Sequence, residues 1–338
     1  MCVENFIETE VIDITNYYDY ITYPDLFLHS SWLKAIEEGL GFKSIGLLTK
    51  FEEIPVCLSI FLTAQKAGAF RLAGAPLPGC FTPHLEPVWL KEVDDTFKVK
   101  IIEMQNRFLI KDGFSYIERR FRDDLLVKKI GNKKGYEIKF PETFILEIKD
   151  DLDTMWKTME GRSRNMVRKA EKKGVKLVKG EGNVSEIEMF YEMLKIVFAK
   201  SNSLPPHPLS LYKSIVKNLM PENRVLILSS VLNDEVIAMG FFIYDDSEIH
   251  FLSGASLPEA YKTGANNFIQ WNVIKFAVNH GLKLYDLGGK GIPSIDKFKA
   301  SFGGKSHKYG KIVWRSKKAL IAEKIYRNIL SFKSKLKV

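Results

Sequence analysis

The residues best suited to do chemistry lie between Tyr285 and Gly304, in the string YDLGGKGIPSIDKFKASFGG. Asp286 ends an apolar strand pattern carried by Leu282 and Leu284. Gly288 and Gly289 follow, where backbone can turn sharply or come close to a ligand. Lys297 and Lys299 come next, and Phe302-Gly303-Gly304 closes the segment. A carboxylate at a strand end, bare backbone and two ammonium groups on one connection make a polar site. The same residues also read as a glycine-rich connection with solvated charges, and spacing alone does not choose between the two.

A second basic group lies upstream. In GRSRNMVRKAEKK (161–173), Arg164, Arg168 and Lys172 recur every four residues, so a helix would put them on one face. Such a stripe can meet phosphates, because arginine offers forked donors; the plainer reading is a solvated face. His84, at the end of the proline-glycine loop AGAPLPGCFTPHLEP, and Asp94 are further candidates from the first half. For His84 the alternative is simple packing against Pro83 and Pro87. His207, in SNSLPPHPLS, reads as a surface loop residue. The other histidines are scattered without His-x-x-x-His spacing, and Cys2, Cys57 and Cys80 show no metal-ligand pattern. No metal site and no catalytic thiol is expected.

These side chains need elements to position them. Apolar periodicity predicts a helix at 264–279 (Phe268, Trp271, Ile274, Phe276, Ala277) and a strand at 282–287. Before them come a hairpin, 224–231 with 235–244 around Asn233-Asp234, and a strand at 248–254. The first half shows the same order: strands at 44–50 and 54–62, a strand at 70–73, the broken loop, a helix from Asp94 or Asp95 to 111, and a strand at 114–120. Hairpin, strand, broken loop, helix, strand therefore occurs twice, offset by about 170 residues. The pattern predicts two modules of one kind with a cleft between them, where ligands usually bind. The charged, glycine-bearing run 128–142 is the expected boundary, giving units 1–135 and 136–312, followed by a basic amphipathic helix at 313–338. That last helix carries two apolar rows, Leu320, Ile321, Ile325, Ile329 and Ala322, Tyr326, Leu330. It suits either docking on its own domain or lying on an anionic membrane face.

Composition sets the outer bounds. The chain has 338 residues, 46% hydrophobic and 27% charged, enough for two domains with ample core. No apolar run reaches the ~18–20 residues of a membrane helix. The N-terminal MCVENFIETEVIDIT lacks the basic-then-apolar pattern of a secretory leader, so a cytoplasmic location is expected, with peripheral contact at the inner membrane face through 317–338. The net charge of +9 is uneven: residues 1–150 hold 19 Lys and Arg against 23 Asp and Glu, and residues 151–338 hold 31 against 18. The basic half suggests an anionic partner, such as a cofactor phosphate, a nucleotide-linked substrate, tRNA or a membrane surface.

The D-x-G-G ending, followed about ten residues later by F-K-x-x-F-G, resembles the FemABX and CelD/BioF-like branch of the GNAT acyltransferases. The R-x-x-x-R-x-A helix before a G-V strand is similar to that branch too. The resemblance spans 143–304 and extends more weakly over 25–125. It implies two GNAT-like α/β domains with mixed sheets, packed side by side, and acyl transfer to an amine. The donor it implies is acyl-CoA, and the acceptor is an amino sugar or a nucleotide-linked amino sugar, for a cell-surface polysaccharide. The Fem-type alternative uses aminoacyl-tRNA to extend a peptidoglycan peptide; a non-enzymatic, membrane-associated scaffold is a third reading. Transfer to an amine needs a group to take a proton and donors for an oxyanion. Asp286 is the candidate for amine binding and proton removal. Lys299 is the candidate for oxyanion or phosphate contact, since the matching Fem-type lysine is associated with the acyl donor. Lys297, Gly288 and Gly289 are its companions. The GNAT phosphate loop, Q/R-x-x-G-x-G/A entering a helix, has only a degenerate counterpart in Tyr261-Lys262-Thr263-Gly264-Ala265.

Overall fold

Alternating apolar residues at 43–66 and 225–256 build two mixed sheets, each within its own unit of the chain. The computed structural model describes residues 6–325, except 22–24, 123 and 132–134. One unit gathers 1–28, 41–140 and 309–338; the other gathers 29–40 and 141–308.

The strands of the first unit are β1 (Ile7–Ile12), β2 (Lys43–Phe51), β3 (Ile54–Lys66), β4 (Phe70–Ala75), β5 (Val88–Trp89), β6 (Phe114–Phe121) and β7 (Tyr136–Lys139), joined by the late strand β15 (Gly310–Arg315). Their order is β1-β2-β3-β4-β6-β15-β7, with β5 paired to β3. Among the described residues of this sheet, only the β4–β6 pair is parallel. The turn between β2 and β3 puts Glu52 and Glu53 at φ +49° and +65°, a region that L-residues other than Asn and Asp seldom adopt. A short helix, α1 (Ile14–Tyr17), precedes the unit's main helix, α3 (Asp95–Lys111). α3 starts on Asp94, whose carboxylate accepts the Phe97 N–H at 2.8 Å. Val99 and Ile102 of α3 pack with Phe121, Ile312 and the helix α4 (Asp124–Gly131).

The second unit holds β8 (Glu142–Glu147), β9 (Lys176–Lys179), β10 (Val225–Leu232), β11 (Glu235–Tyr244), β12 (Glu248–Ser256), β13 (Leu284–Gly289) and β14 (Lys305–Lys308). Their order is β14-β8-β13-β12-β11-β10-β9, and the β12–β13 pair alone is parallel. Here the hairpin turn sits on Asn233 and Asp234, both at positive φ, residues whose short polar side chains tolerate it. Along the sheet lie α5 (Leu152–Thr158), α6 (Gly161–Lys172), α7 (Val184–Ala199), α8 (Leu209–Leu219), α9 (Pro258–Thr263), α10 (Ala265–Asn279) and α11 (Pro293–Ala300). The core joins Val167 of α6 and Val273 and Ile274 of α10 to Phe242, Tyr285, Leu287 and Phe302.

The helix α2 (Ser30–Leu40), although it lies early in the sequence, belongs to the second unit and packs on α8. The reason is a close backbone approach. A Cβ on Gly39 would stand 2.7 Å from the Leu211 Cα. Ser210 and Ser214 donate their hydroxyls to the carbonyls of Gly39 and Ala35, both at 2.7 Å.

Of the basic C-terminal segment, 317–325 is helical. Its Arg315–Glu323 ion pair (2.8 Å) and half-buried Ala319 and Ala322 tie it down, yet Leu320, Ile321 and Ile325 remain exposed. Of the second apolar row only Ala322 is described, and it is half-buried; Tyr326, Leu330 and the rest of 326–338 lie outside the described residues. Among the described residues no helix is long and apolar enough to cross a membrane.

Candidate active site

β12 and β13 pair through only three residues: Glu248 with Leu284, Ile249 with Tyr285, and His250 with Asp286. Beyond His250 the ladder stops, although β12 continues to Ser256 and β13 to Gly289. Two irregularities mark the separation. The β11–β12 register shifts at Phe241/Phe242, leaving Leu252 as the extra residue. The β13–β8 register shifts between Asp286 and Gly289. Bulges of this kind bend a strand and end pairing. The first unit differs: after a register shift between Arg71 and Leu72, its parallel pair continues to Ala75, the last residue of β4, opposite Arg119.

Asp286 stands where the strands part, and its carboxylate is almost entirely buried. One oxygen accepts the Thr143 hydroxyl and the Gly288 N–H (2.7 Å). The other lies 3.8 Å from His250 Nδ1. Across the ring, His250 Nε2 lies 3.3 Å from the Glu248 carboxylate. Burial alone would push the Asp286 pKa up and the His250 pKa down. The hydrogen bonds and opposite charges prevail: Asp286 is held below the ordinary carboxylate value, and His250 is raised to about 9. At neutral pH Asp286 is thus ionised and His250 protonated, with the Glu248 carboxyl group on the far side of the ring. Asp286 is a poor proton acceptor in this state, because its ionised form is the one its neighbours stabilise. Its evident work is local: by accepting the Gly288 N–H it fixes the bend that puts Gly288 at φ +88°.

That bend turns the Gly289 carbonyl onto Lys299, whose Nζ donates to it at 2.6 Å. A Cβ on Gly288 would stand 3.4 Å from Nζ, so the glycine keeps the ammonium's flank open. α11 places Lys299 by packing Phe298 and Ala300 against the core and Phe298 edge-on against Phe302. Burial lowers the Lys299 pKa, against the opposing pull of Asp286 and Asp296. One hydrogen bond to Gly289 leaves two further donors on the ammonium.

The structure brings Asp286, Gly288, Gly289 and Lys299 together. Lys297 is on the same helix but exposed. Arg164 and Arg168 share a face of α6, as their spacing requires, but are occupied locally. Arg164 Nη1 donates to the carbonyls of Trp156, Lys157 and Met159 (2.9–3.3 Å), closing the C-terminal end of α5. Arg168 lies over the Trp156 ring and donates to Asn165. Asp94 is the cap of α3, and His84 is buried in the first unit beside Phe27, Tyr309 and Arg122. Sequence reasoning missed Glu248, His250 and Thr143. The available signal was Glu248-x-His250, two polar residues on one face of an otherwise apolar strand.

The degenerate phosphate-loop segment forms α9, then Gly264 at φ +86°, then α10. A Cβ on Gly264 would stand 2.2 Å from the Met166 carbonyl oxygen, so α6 backbone packs directly on the start of α10. Asn267 donates to Ser163, and Ser163 to Ser301, which ties α10, α6 and the end of α11 together.

Residues 161–300 match the acetyltransferase (GNAT) domain family. No curated protein matches the chain in sequence. Among solved structures, the fold is similar to that of FemX, with 13% identity, TM-score 0.71, and coverage of 93% of this chain and 98% of that one. It is similar to a tandem GNAT protein from the clavulanic acid biosynthesis pathway, with 8% identity, TM-score 0.57, and coverage of 91% and 98%. It is also similar to the C-terminal domain of a putative lysylphosphatidylglycerol synthetase from Agrobacterium fabrum, with 12% identity, TM-score 0.56, and coverage of 91% and 94%.

Proposed function

We propose that the chain, whose residues 161–300 match the acetyltransferase (GNAT) domain family and whose fold is similar to those of FemX and a tandem GNAT protein, is an acyltransferase that acylates the amine of an amino sugar or nucleotide-linked amino sugar for a cell-surface polysaccharide, using acyl-CoA. The observation that carries this reading is the parting of β12 and β13 beside a buried lysine. Strand-edge amides and carbonyls past His250 suit an extended, amide-bearing donor arm, which can pair with them as an added strand. The free donors of Lys299 then face the acyl carbonyl and stabilise the oxyanion as the amine adds. The amine nitrogen bonds to the acyl carbon, the carbon–sulfur bond breaks, and the thiolate leaves and is protonated. The nitrogen's surplus proton passes to solvent, because Asp286 is already committed to Thr143, Gly288 and His250. In the first unit the parallel strands pair to the end of β4, so among the described residues its own sheet carries no such opening.

A second reading rests on the contact at Gly264. A carbonyl oxygen against the start of α10 disfavours a diphosphate there. That favours a donor held without one, an aminoacyl-tRNA, and the basic residues 151–338 suit such a partner. Peripheral contact with an anionic membrane face fits exposed Leu320, Ile321 and Ile325 beside Lys317, Lys318 and Lys324.

A screen of acyl-CoA donors against amino-sugar nucleotides, read by free-thiol release, tests the first reading. CoA or acetyl-CoA should also raise the melting temperature. No thiol release and no thermal shift, together with salt-sensitive binding of charged tRNA, would replace it with the second.

A further inference from the structure

We infer that His250, braced by Glu248, is the positioning residue for Lys299, acting through Asp286 and the Gly288–Gly289 bend.

The connection is continuous. Glu248 lies 3.3 Å from His250 Nε2, and His250 Nδ1 lies 3.8 Å from Asp286. Asp286 accepts the Gly288 N–H at 2.7 Å, and the following residue, Gly289, accepts Lys299 Nζ at 2.6 Å. Strand pairing enforces the central contact: His250 and Asp286 are opposite each other in parallel register, so their side chains share one face. The two carboxylates come from β12 and β13, the Thr143 hydroxyl from β8 and the Lys299 ammonium from α11. Without the imidazolium, Asp286 would be a buried anion whose strongest available cation is Lys299. The ammonium would then be drawn off the Gly289 carbonyl toward the buried carboxylate. His250 therefore does for Asp286 what Lys299 must be spared from doing.

The proposed seat of the donor matters only for the kinetic half of the test. Lys299 can be interrogated directly, by acylation with acetic anhydride across a pH series. Peptide mass spectrometry then compares its labelling rate with that of exposed Lys297, two residues away. In His250→Gln the ammonium pairs with Asp286, so the Lys299-to-Lys297 labelling ratio at pH 8 should fall by about threefold or more. Glu248→Gln removes only the brace and should give a smaller fall in the same direction; it also serves if His250→Gln does not fold. A ratio unchanged in both variants, whatever their melting temperatures, would overturn the assignment and leave His250 a packing residue. With a working donor, kcat should drop in His250→Gln while the acceptor KM holds, and the wild-type decline in kcat near pH 9 should disappear. If no donor turns over at all, the labelling ratio still decides the role of His250, so failure of the functional reading is separable from failure of this one.

Discussion

Replacing Asp286 by Asn removes one carboxylate from a buried imidazolium. In the native protein the His250 pKa stands at about 9, above its ordinary 6.5. A group raised in the folded state contributes stability that is complete below its unfolded pKa and disappears as pH climbs through its folded one. The His250 contribution is therefore full below about pH 6.5 and gone above about pH 9, and the interval corresponds to at most about 3 kcal/mol. Asp286 behaves oppositely. Its pKa is lowered from 3.8, so its contribution holds above pH 3.8 and is lost as pH falls through the folded value. The second unit should thus be firmest between about pH 4 and 6.5. Hydrogen exchange read by mass spectrometry on β12 and β13 peptides isolates this region. Corrected for intrinsic exchange rates, protection in the wild type should fall by up to about 100-fold between pH 6.5 and 9. In Asp286→Asn, protection at pH 6 should already be reduced by the equivalent of about 3 kcal/mol, because a buried charge has lost a partner. With only Glu248 left beside the ring, the fall toward pH 9 should shrink to about half. Wild-type protection that is flat over this range, or an undiminished fall in the variant, would refute the charged triad.

Lys299→Ala should lower turnover by about 100-fold or more, the usual loss for an oxyanion donor, with the unfolding midpoint little changed; an unaltered rate would remove the lysine from the chemistry. Arg164→Ala should weaken the protein by about 1–3 kcal/mol in urea titrations, since carbonyls at the end of α5 lose a charged donor. The donor KM should not move in that variant, and a large rise would restore Arg164 as a phosphate contact. Ile321→Asp with Ile325→Asp should abolish co-sedimentation with phosphatidylglycerol vesicles and leave turnover of soluble substrates intact. Equal binding to phosphatidylcholine vesicles would argue against an electrostatic contact.

Local signals carried most of what could be read before the fold was known. The helix at 264–279, the hairpin around Asn233-Asp234 and the polar turn after Asp286 each depend on neighbours in sequence, so periodicity and turn chemistry reveal them. The partners of Asp286 do not: His250 is 36 residues away and Thr143 is 143 away, joined only by strand register. His250 therefore looked like one of several scattered histidines. The charge on Arg164 and Arg168 was visible, but not the carbonyls and the Trp156 ring that occupy them. The placement of α2 was hidden for a related reason, since Gly39 reveals its role only against Leu211 and Ser214.

The last strand to be made has consequences for how the protein can be assembled. β15 lies between β6 and β7 in the first sheet, although more than 160 residues separate it from either. On the ribosome, the second unit has its full set of segments once residue 308 emerges, while the first still waits for 309 onward. The half that is translated first is completed last, with the β6 edge exposed in the meantime. Expressing residues 1–140 alone would freeze that unfinished state, and expressing 141–338 alone would strip α2 from its seat on α8. The two halves are of one architectural kind, yet neither can be produced as a contiguous fragment.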